Sequence, residues 1–596
     1  MKLKVSVFEY LNQKVMYIQD VNYYFGIRDN FDIKLGDYEL SEEEVLNIAK
    51  ENDPEEYEVF INTSIEERLN KIKTYDIEEI KEQSSYGQFT LCLHPSRKCN
   101  LNCKYCFRES EYLGEQQLTF EVAKDAIDFL VDKYAPCASK YVVDLSGSGE
   151  PLLQIDLVKQ IVDYCKQKRN EICKNIEVMF CTNLTLLTPE IVEYLDNEPA
   201  IILGTSIDGD RITNDNNRVY ANDKGTYDDI VKGLKMFKNK KLGLAVTITP
   251  LNQDVDLIYD CLYHLPNVDC VSMKFIRCYD GSKYDFENFD VKYLISRYEK
   301  LCKKVLDELE RKNFNYLLKL INGADILGNI IAQNLLRGID IIYKCDAGKN
   351  RITVDSKGYI YSCSVMMGNN DFIIGNIYKD VDNKLQRKYW SLSKEININC
   401  ANCSVKHACG GECYANSYLK YNDMYTSVDK NCKINIELNK MSYAFIEYIK
   451  FNINSIYNDF INSIFKVQDY SSTDSAIWAI MTYLKLEGLN PDYGTISNKL
   501  DISDLGVNPQ NIVEYLRTYN LDVDAYVVDF KMNGENLKFP LISLINKKDT
   551  SKFTYLVIAE RNENYILFKS IENSSNDFIK ILLKDYINDY SDIVIF

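Results

Sequence analysis

Several things are missing from this chain of 596 residues, and each absence excludes something. There is no basic excess: 70 Lys+Arg against 88 Asp+Glu leave a net charge of −18, the wrong sign for a protein that binds by neutralising phosphates. No apolar run approaches the ~18 residues of a membrane span. The opening MKLKVSVFEYLNQK lacks the apolar stretch and small-residue cleavage site of a secretory signal, so neither a membrane nor an export route is expected and the chain is placed in the cytoplasm. Glycine (25) and proline (11) are too few for a long flexible linker. Cysteine is absent from 1–91 and from 433–596, and no histidine follows His407.

What is present is unevenly placed. Nineteen cysteines in a cytoplasmic chain call for metal or redox chemistry rather than disulfides. Ten of them fall in two tight groups, at 99–106 and 345–432, while the scattered remainder reads as small buried apolar side chains. The length implies several domains. Residues 1–88 carry 20 acidic and 10 basic side chains and form a separate module: strand-like runs KLKVSVFEYL and QKVMYIQDV, then helices expected to start at Ser41 and Ser64, where serine precedes acidic residues. Over 89–338 six short β-type runs, from FTLCLH to CVSMKFIRC, alternate with helical patterns. That succession predicts an α/β fold with a parallel sheet, open or curled as a partial (β/α)6 TIM-like barrel, whose chemistry would sit at the C-terminal ends of the strands. A cysteine-rich, turn-rich region covers 339–435, a helical linker 436–466, and a cysteine-free α+β unit 467–596.

Directly after the first strand, HPSRKCNLNCKYCF sets Cys99, Cys103 and Cys106 in a CxxxCxxC spacing. Three thiolates are one too few for a closed zinc site, whereas a 4Fe-4S cluster held by three cysteines keeps one iron open for a small ligand; zinc and coincidence are the other readings. With Tyr105 before the last cysteine and the partial-barrel pattern behind it, the stretch resembles the radical SAM superfamily. The resemblance implies S-adenosylmethionine bound through its amino and carboxylate groups at the open iron and cleaved to a 5′-deoxyadenosyl radical, with a flavodoxin- or ferredoxin-type electron donor. Ser148-Gly149-Glu150-Pro151 resembles the family's GGEP element, which holds the methionine amine, although serine replaces the first glycine. Ser206-Ile207-Asp208-Gly209, followed by Asp215 and Asn217-Arg218, resembles a stretch of the peptide-modifying members; it implies Ser206 at the ribose, Arg218 at the carboxylate and Asp208 among the cofactor contacts. By themselves Asp208-Gly209 would be a turn and Arg218 a surface charge.

Cys345, Gly358, Cys363, Cys400, Cys403, Cys409, Cys413 and Cys432 follow the spacing of the SPASM domain, an appendage of radical SAM enzymes that act on peptides and proteins. Seven thiolates exceed one zinc and fit two further 4Fe-4S clusters, three in all, with a zinc ribbon as the alternative. The family's connectivity implies Cys400, Cys403, Cys409 and Cys432 around an outer cluster and Cys345, Cys363 and Cys413 around an inner one, which lacks a fourth cysteine nearby. Ser364 stands where sulfatase-maturing relatives carry an Asp base, which demotes formylglycine chemistry. His94 and its HPSRKCN context resemble thioether-forming maturases of ribosomally made, cysteine-containing peptides, and the partner implied is a precursor peptide with a leader. Carbon–carbon crosslinking, another peptide oxidation, and a non-catalytic peptide-binding scaffold are the rival readings. His407 reads as a loop or supporting residue rather than a ligand.

The module at 1–88 resembles in arrangement the winged-helix-like domain that captures leaders by β-augmentation. The region 467–596 resembles papain-like peptidases that trim double-glycine leaders, with Gln468 as the oxyanion-hole candidate. Ser475 replaces the nucleophilic cysteine and Thr554-Tyr555 the histidine, so a peptidase that cannot cut is expected.

Overall fold

In the computed structural model the described residues are 1–62, 65–73, 77–106, 117–468 and 471–500, and beyond these 502–503, 506–519, 521, 523, 525–527, 539–546, 553–561, 565–571, 579–582 and 592–595.

The N-terminal module is a four-stranded antiparallel sheet of β1 (Lys2–Tyr10), β2 (Gln13–Ile18), β3 (Tyr23–Ile27) and β4 (Gly36–Ser41), in the order β3-β2-β1-β4. Both faces are covered. Val5, Val7, Met16 and Ile18 face the helices Glu42–Asn52 and Pro54–Asn62, and Phe8, Val15 and Tyr17 join the main core. The inner strand β2 and its neighbour β3 therefore read as near-continuous apolar runs, whereas the edge strand β4 is polar. Ser41 accepts the Glu44 N–H at 3.2 Å while Glu44 accepts the Ser41 N–H at 2.7 Å, the reciprocal cap that serine followed by acidic residues predicts. The second expected helix start, Ser64, lies outside the described residues.

Six parallel strands follow: β5 (Gln88–Cys92), β6 (Lys140–Asp144), β7 (Asn175–Thr182), β8 (Ile201–Ser206), β9 (Leu242–Ile248) and β10 (Val268–Phe275), each paired with its chain neighbour. Helices run between them, as the alternating pattern predicts. The sheet does not close on itself. The free edge of β5 is taken by β11 (Arg351–Val354), and β12 (Tyr359–Tyr361), β13 (Ile373–Asn376) and β14 (Asp380–Val381) extend it to ten strands. The cysteine-rich region thus shares its backbone ladder with the strand that launches the first cysteine loop, covering an edge that would otherwise be left unpaired.

The stretch read as a linker at 436–466 is helical but belongs to the core. A helix from Asp429 to Asn452 carries Cys432 in its first turns and then buries Leu438, Tyr443, Phe445, Ile446 and Ile449. It packs on Ile326–Asn334, on Val291–Glu310 and on β1–β3. Arg337 pairs with Glu56 and Glu447, and Lys450 with Asp53 and Glu56, so ion pairs tie the N-terminal module to this helix.

At the C-terminal end the helix Ser471–Leu486 packs on a six-stranded sheet with its own core. This unit meets the parallel-sheet domain where Arg169 lies 4.7 Å from the Tyr493 ring and Asn170 accepts the Tyr493 N–H at 3.1 Å. Among the described residues no helix is long and apolar enough to cross a membrane.

Candidate active site

The first cysteine loop leaves the end of β5 and is held down by the segment after β8. Asn102 N–H donates to the Val219 carbonyl at 2.7 Å and Lys104 N–H to the Asn217 carbonyl at 2.9 Å. Cys99 Sγ accepts from Leu101 N–H at 3.4 Å. Burial raises the Cys103 thiol, opposed by Arg218 and reinforced by Asp208, Cys106 and Cys99, so the three cysteines stand within electrostatic reach of one another. Tyr105 ties the loop in place: its hydroxyl donates to Asp208 Oδ2 at 2.7 Å and accepts from Arg218 at 2.8 Å. The other Asp208 oxygen accepts the Thr247 N–H at 3.1 Å. Asp208 and Arg218, expected at the cofactor, thus have internal partners on the cysteine loop, and Ser206 stands half-buried at the end of β8.

The loop after β6 is packed on the first. Gly149 has φ +67°, and a Cβ there would lie 2.3 Å from the Ser96 carbonyl oxygen and 2.6 Å from that of Lys98. Glu150 N–H donates to the same Lys98 oxygen at 2.8 Å, so only glycine lets the two loops bond backbone to backbone. The Glu150 carboxylate, 2% exposed, accepts from Thr182 Oγ1 at 2.6 Å, Asn183 N–H at 2.8 Å and Leu152 N–H at 3.0 Å. Its visible work is to join the ends of β6 and β7. Thr182 and Asn183 were not singled out in the sequence. Among the described residues, buried polar atoms without a partner stand on these loops at Ser148 Oγ and both ring nitrogens of His94, and on the segment after β8 at Arg218 Nε. Burial lowers the His94 pKa to about 4, which keeps the ring neutral. Unpaired buried polar groups cost free energy and are expected where a ligand completes them. These residues therefore fit a small polar cofactor at the strand ends.

The later cysteines divide into two cavities. Cys345, Cys363 and Cys413 line one of about 660 Å³, and Cys400, Cys403, Cys409 and Cys432 line one of about 730 Å³, with Cys409 on the wall of both. Burial pushes the Cys363 thiol up to about 11, with Cys413 and Cys345 adding to it. Cys400 is likewise pushed up to about 11 by burial, then by Cys409 and Cys403. Crowded buried thiols of this kind become thiolates only when a metal centre compensates them. Among the described residues no three His, Cys, Asp or Glu side chains converge on a single-ion position. The three and four thiols around these two cavities fit a multi-atom cluster. His407 is buried against Asp340 at 2.7 Å and Lys394 at 3.1 Å, and Ser364 lines the inner cavity.

A third cavity, of about 300 Å³, lies between the first loop and the cysteine-rich region. Tyr105 and Cys106 form part of its wall, Met366 and Met367 another, and Lys274 and Arg277 enter from the end of β10. The sequence reading missed Arg277, although its place just past the sixth strand is where the strand-end rule directs attention.

In the C-terminal unit Ser475 is 1% exposed and accepts the Tyr555 N–H at 3.3 Å, while Tyr493 donates to Asp474 at 2.9 Å. Nothing of the Gln468 side chain is described.

Residues 93–256 match the Radical SAM superfamily, and the chain carries a radical SAM domain. An uncharacterised protein of Methanocaldococcus jannaschii is 33% identical over 179 residues, 30% of this chain and 59% of that protein, so the match spans under two thirds of that relative. The radical SAM cyclopropyl synthase TigE of Paramaledivibacter caminithermalis is 27% identical over 445 residues, 70% of this chain and 84% of that enzyme. Among solved structures, native anSMEcpe with bound AdoMet and Kp18Cys peptide aligns with 63% of this chain and 99% of that one, at 17% identity and a TM-score of 0.49.

Proposed function

We propose that this protein is a radical SAM enzyme that joins a cysteine sulfur to a carbon of a ribosomally made precursor peptide, forming a thioether. The observation that carries the reading is the 300 Å³ cavity, which has Cys106 of the first cysteine group in its wall and shares Arg277, Lys274 and Phe275 with the cavity of Cys345, Cys363 and Cys413. A peptide segment placed there would lie between a radical source and a second thiol-rich site. Cys99, Cys103 and Cys106 would hold one 4Fe-4S cluster and the seven later cysteines two more; S-adenosylmethionine would lie against Ser148, Gly149, Ser206 and Arg218. Together these groups would supply a hydrogen-abstracting radical and an acceptor for the second electron, since making a carbon–sulfur bond from a C–H and an S–H removes two hydrogens.

The protein's own part is placement. Tyr105, Asp208 and Arg218 brace the cluster loop, Gly149 and Glu150 lock the adjoining loop onto it, and the apolar wall of Met366 and Met367 keeps water from the peptide. The module at 1–88 would bind the leader along the exposed strand β4, and the C-terminal unit would not cut it. The electron would come from a flavodoxin- or ferredoxin-type donor in the cytoplasm.

Carbon–carbon bond formation is the second reading, favoured by the match to a cyclopropyl synthase over 70% of this chain. Both reactions remove two hydrogens, so the test is anaerobic turnover with the precursor peptide followed by thiol alkylation and mass spectrometry. A thioether removes one alkylatable cysteine. Loss of two hydrogens with every cysteine still alkylated would establish the carbon–carbon reading, and no 5′-deoxyadenosine at all would refute both.

A further inference from the structure

Four cations line the cavity of Cys345, Cys363 and Cys413: Lys274, Arg277, Lys344 and Arg351. Three of them have partners of their own. Lys274 donates to the Ala324 carbonyl with Asp325 close by, Lys344 donates to Asn435 at 3.3 Å and stands near Glu412, and Arg351 pairs with Asp144. Arg277 differs. Among the described residues it makes no ion pair with a carboxylate, and it shares the cavity wall with Cys413, Cys363 and Cys345, all three within electrostatic reach of it. Its side chain is open to space and lines both the 660 Å³ cavity and the 300 Å³ cavity.

We propose that Arg277 is the counter-charge of the inner cysteine group and sets the reduction potential of the iron–sulfur cluster held there. The proposal rests on reading Cys345, Cys363 and Cys413 as cluster ligands. Filling the two cavities with a cluster and a peptide takes the water away from Arg277, and a cation in such a place is stable only against an anion. Thiolates are the anions within reach. Adding an electron to the cluster adds negative charge beside the guanidinium, so the cation favours the reduced form and raises the potential. Because Arg277 also lines the 300 Å³ cavity that has Cys106 in its wall, this charge sits where the peptide would lie. It is a positioning residue, acting through the cluster.

The experiment is an EPR-monitored redox titration of the anaerobically reconstituted full-length protein without S-adenosylmethionine or peptide, for wild type, Arg277→Gln and Arg277→Lys. Arg277→Gln should reduce the equilibrium constant for reducing the inner cluster at least ~10-fold, about 59 mV for a one-electron couple. Arg277→Lys should stay within roughly threefold, and the other two clusters should not move. An unchanged inner-cluster potential in Arg277→Gln at full iron content overturns the proposal. If Arg277→Gln fails to take up the inner cluster while Arg277→Lys does, the requirement for charge is upheld; equal failure of both overturns it. Cys345→Ala separates the two levels of inference: if that variant loses no iron, the cluster reading itself fails and Arg277 fails with it.

Discussion

Replacing Gly149 by alanine tests whether contact between the two loops builds the cofactor site. Two costs are separable. The backbone at Gly149 has φ +67°, a left-handed conformation that costs a residue with a Cβ ~1–2 kcal/mol. The new Cβ would also meet the Ser96 and Lys98 carbonyl oxygens at 2.3 and 2.6 Å, so the loops must move apart, an overpacking term of ~1–3 kcal/mol. Separation strains the Glu150 N–H bond to Lys98, made at 2.8 Å, and shifts Ser148 away from the cysteine loop. If about 2 kcal/mol of that disruption falls on cofactor binding, affinity for S-adenosylmethionine drops ~30-fold. Gly281 is the control: its φ is +75° but no atom of the described residues lies within 4 Å of the place a Cβ would take, so Gly281→Ala should carry the conformational cost alone and leave cofactor affinity within about twofold. The assay is equilibrium binding of S-adenosylmethionine to the reconstituted protein, with iron content and circular dichroism confirming that each variant is loaded and folded. Equal affinities for Gly149→Ala and wild type would refute the claim that loop contact builds the site.

Iron content should be about twelve per chain after anaerobic reconstitution and about eight in the Cys99→Ala/Cys103→Ala/Cys106→Ala variant; stoichiometric zinc bound at 345–432 would contradict this. His94 has a folded-state pKa lowered from its ordinary value to about 4, so between pH 4 and 6.5 the unfolded chain binds the proton that the native chain refuses. Its contribution to stability is therefore complete above pH 6.5 and is lost as pH falls toward 4; thermal unfolding of the metal-free protein should show that fall, and His94→Gln should flatten it. Ser475→Cys should not create leader cleavage, because the residue is 1% exposed and bonded to the Tyr555 N–H, with no imidazole within the C-terminal unit; release of a cut leader in a mass-spectrometric assay would refute this.

Local chemistry made a good part of the site legible. The spacing of Cys99, Cys103 and Cys106 spans eight residues, so a single short loop carries all three thiols. The alternation of apolar runs with helical periodicity reports six parallel strands because period and length are properties of each segment. Ser41 is legible for the same reason: its partner Glu44 is three residues away. Gly149 stood out by its motif, although the atoms that forbid a side chain there, Ser96 O and Lys98 O, could be found only in three dimensions.

Tertiary structure decided the rest. Cys345, Cys363 and Cys413 are brought together over 69 positions, and Cys432 joins Cys400 from the first turns of a helix that continues into the core beneath the N-terminal sheet. The segment 436–466 looked like a connector because helical periodicity says that a face is apolar but not what will cover it; sheet strands and several other helices cover it here. Asp208 and Arg218 turn to Tyr105, more than 100 residues earlier, and Arg277 turns to three cysteines up to 136 residues later. Sequence by itself determined which segments are strands or helices and which residues are candidates for the chemistry, since those depend on neighbours within a turn or two. Which charge meets which thiol, and which cavity each cysteine lines, was decided by the packing of distant segments, because a side chain's partner is whatever the closed core leaves within a few ångströms of it.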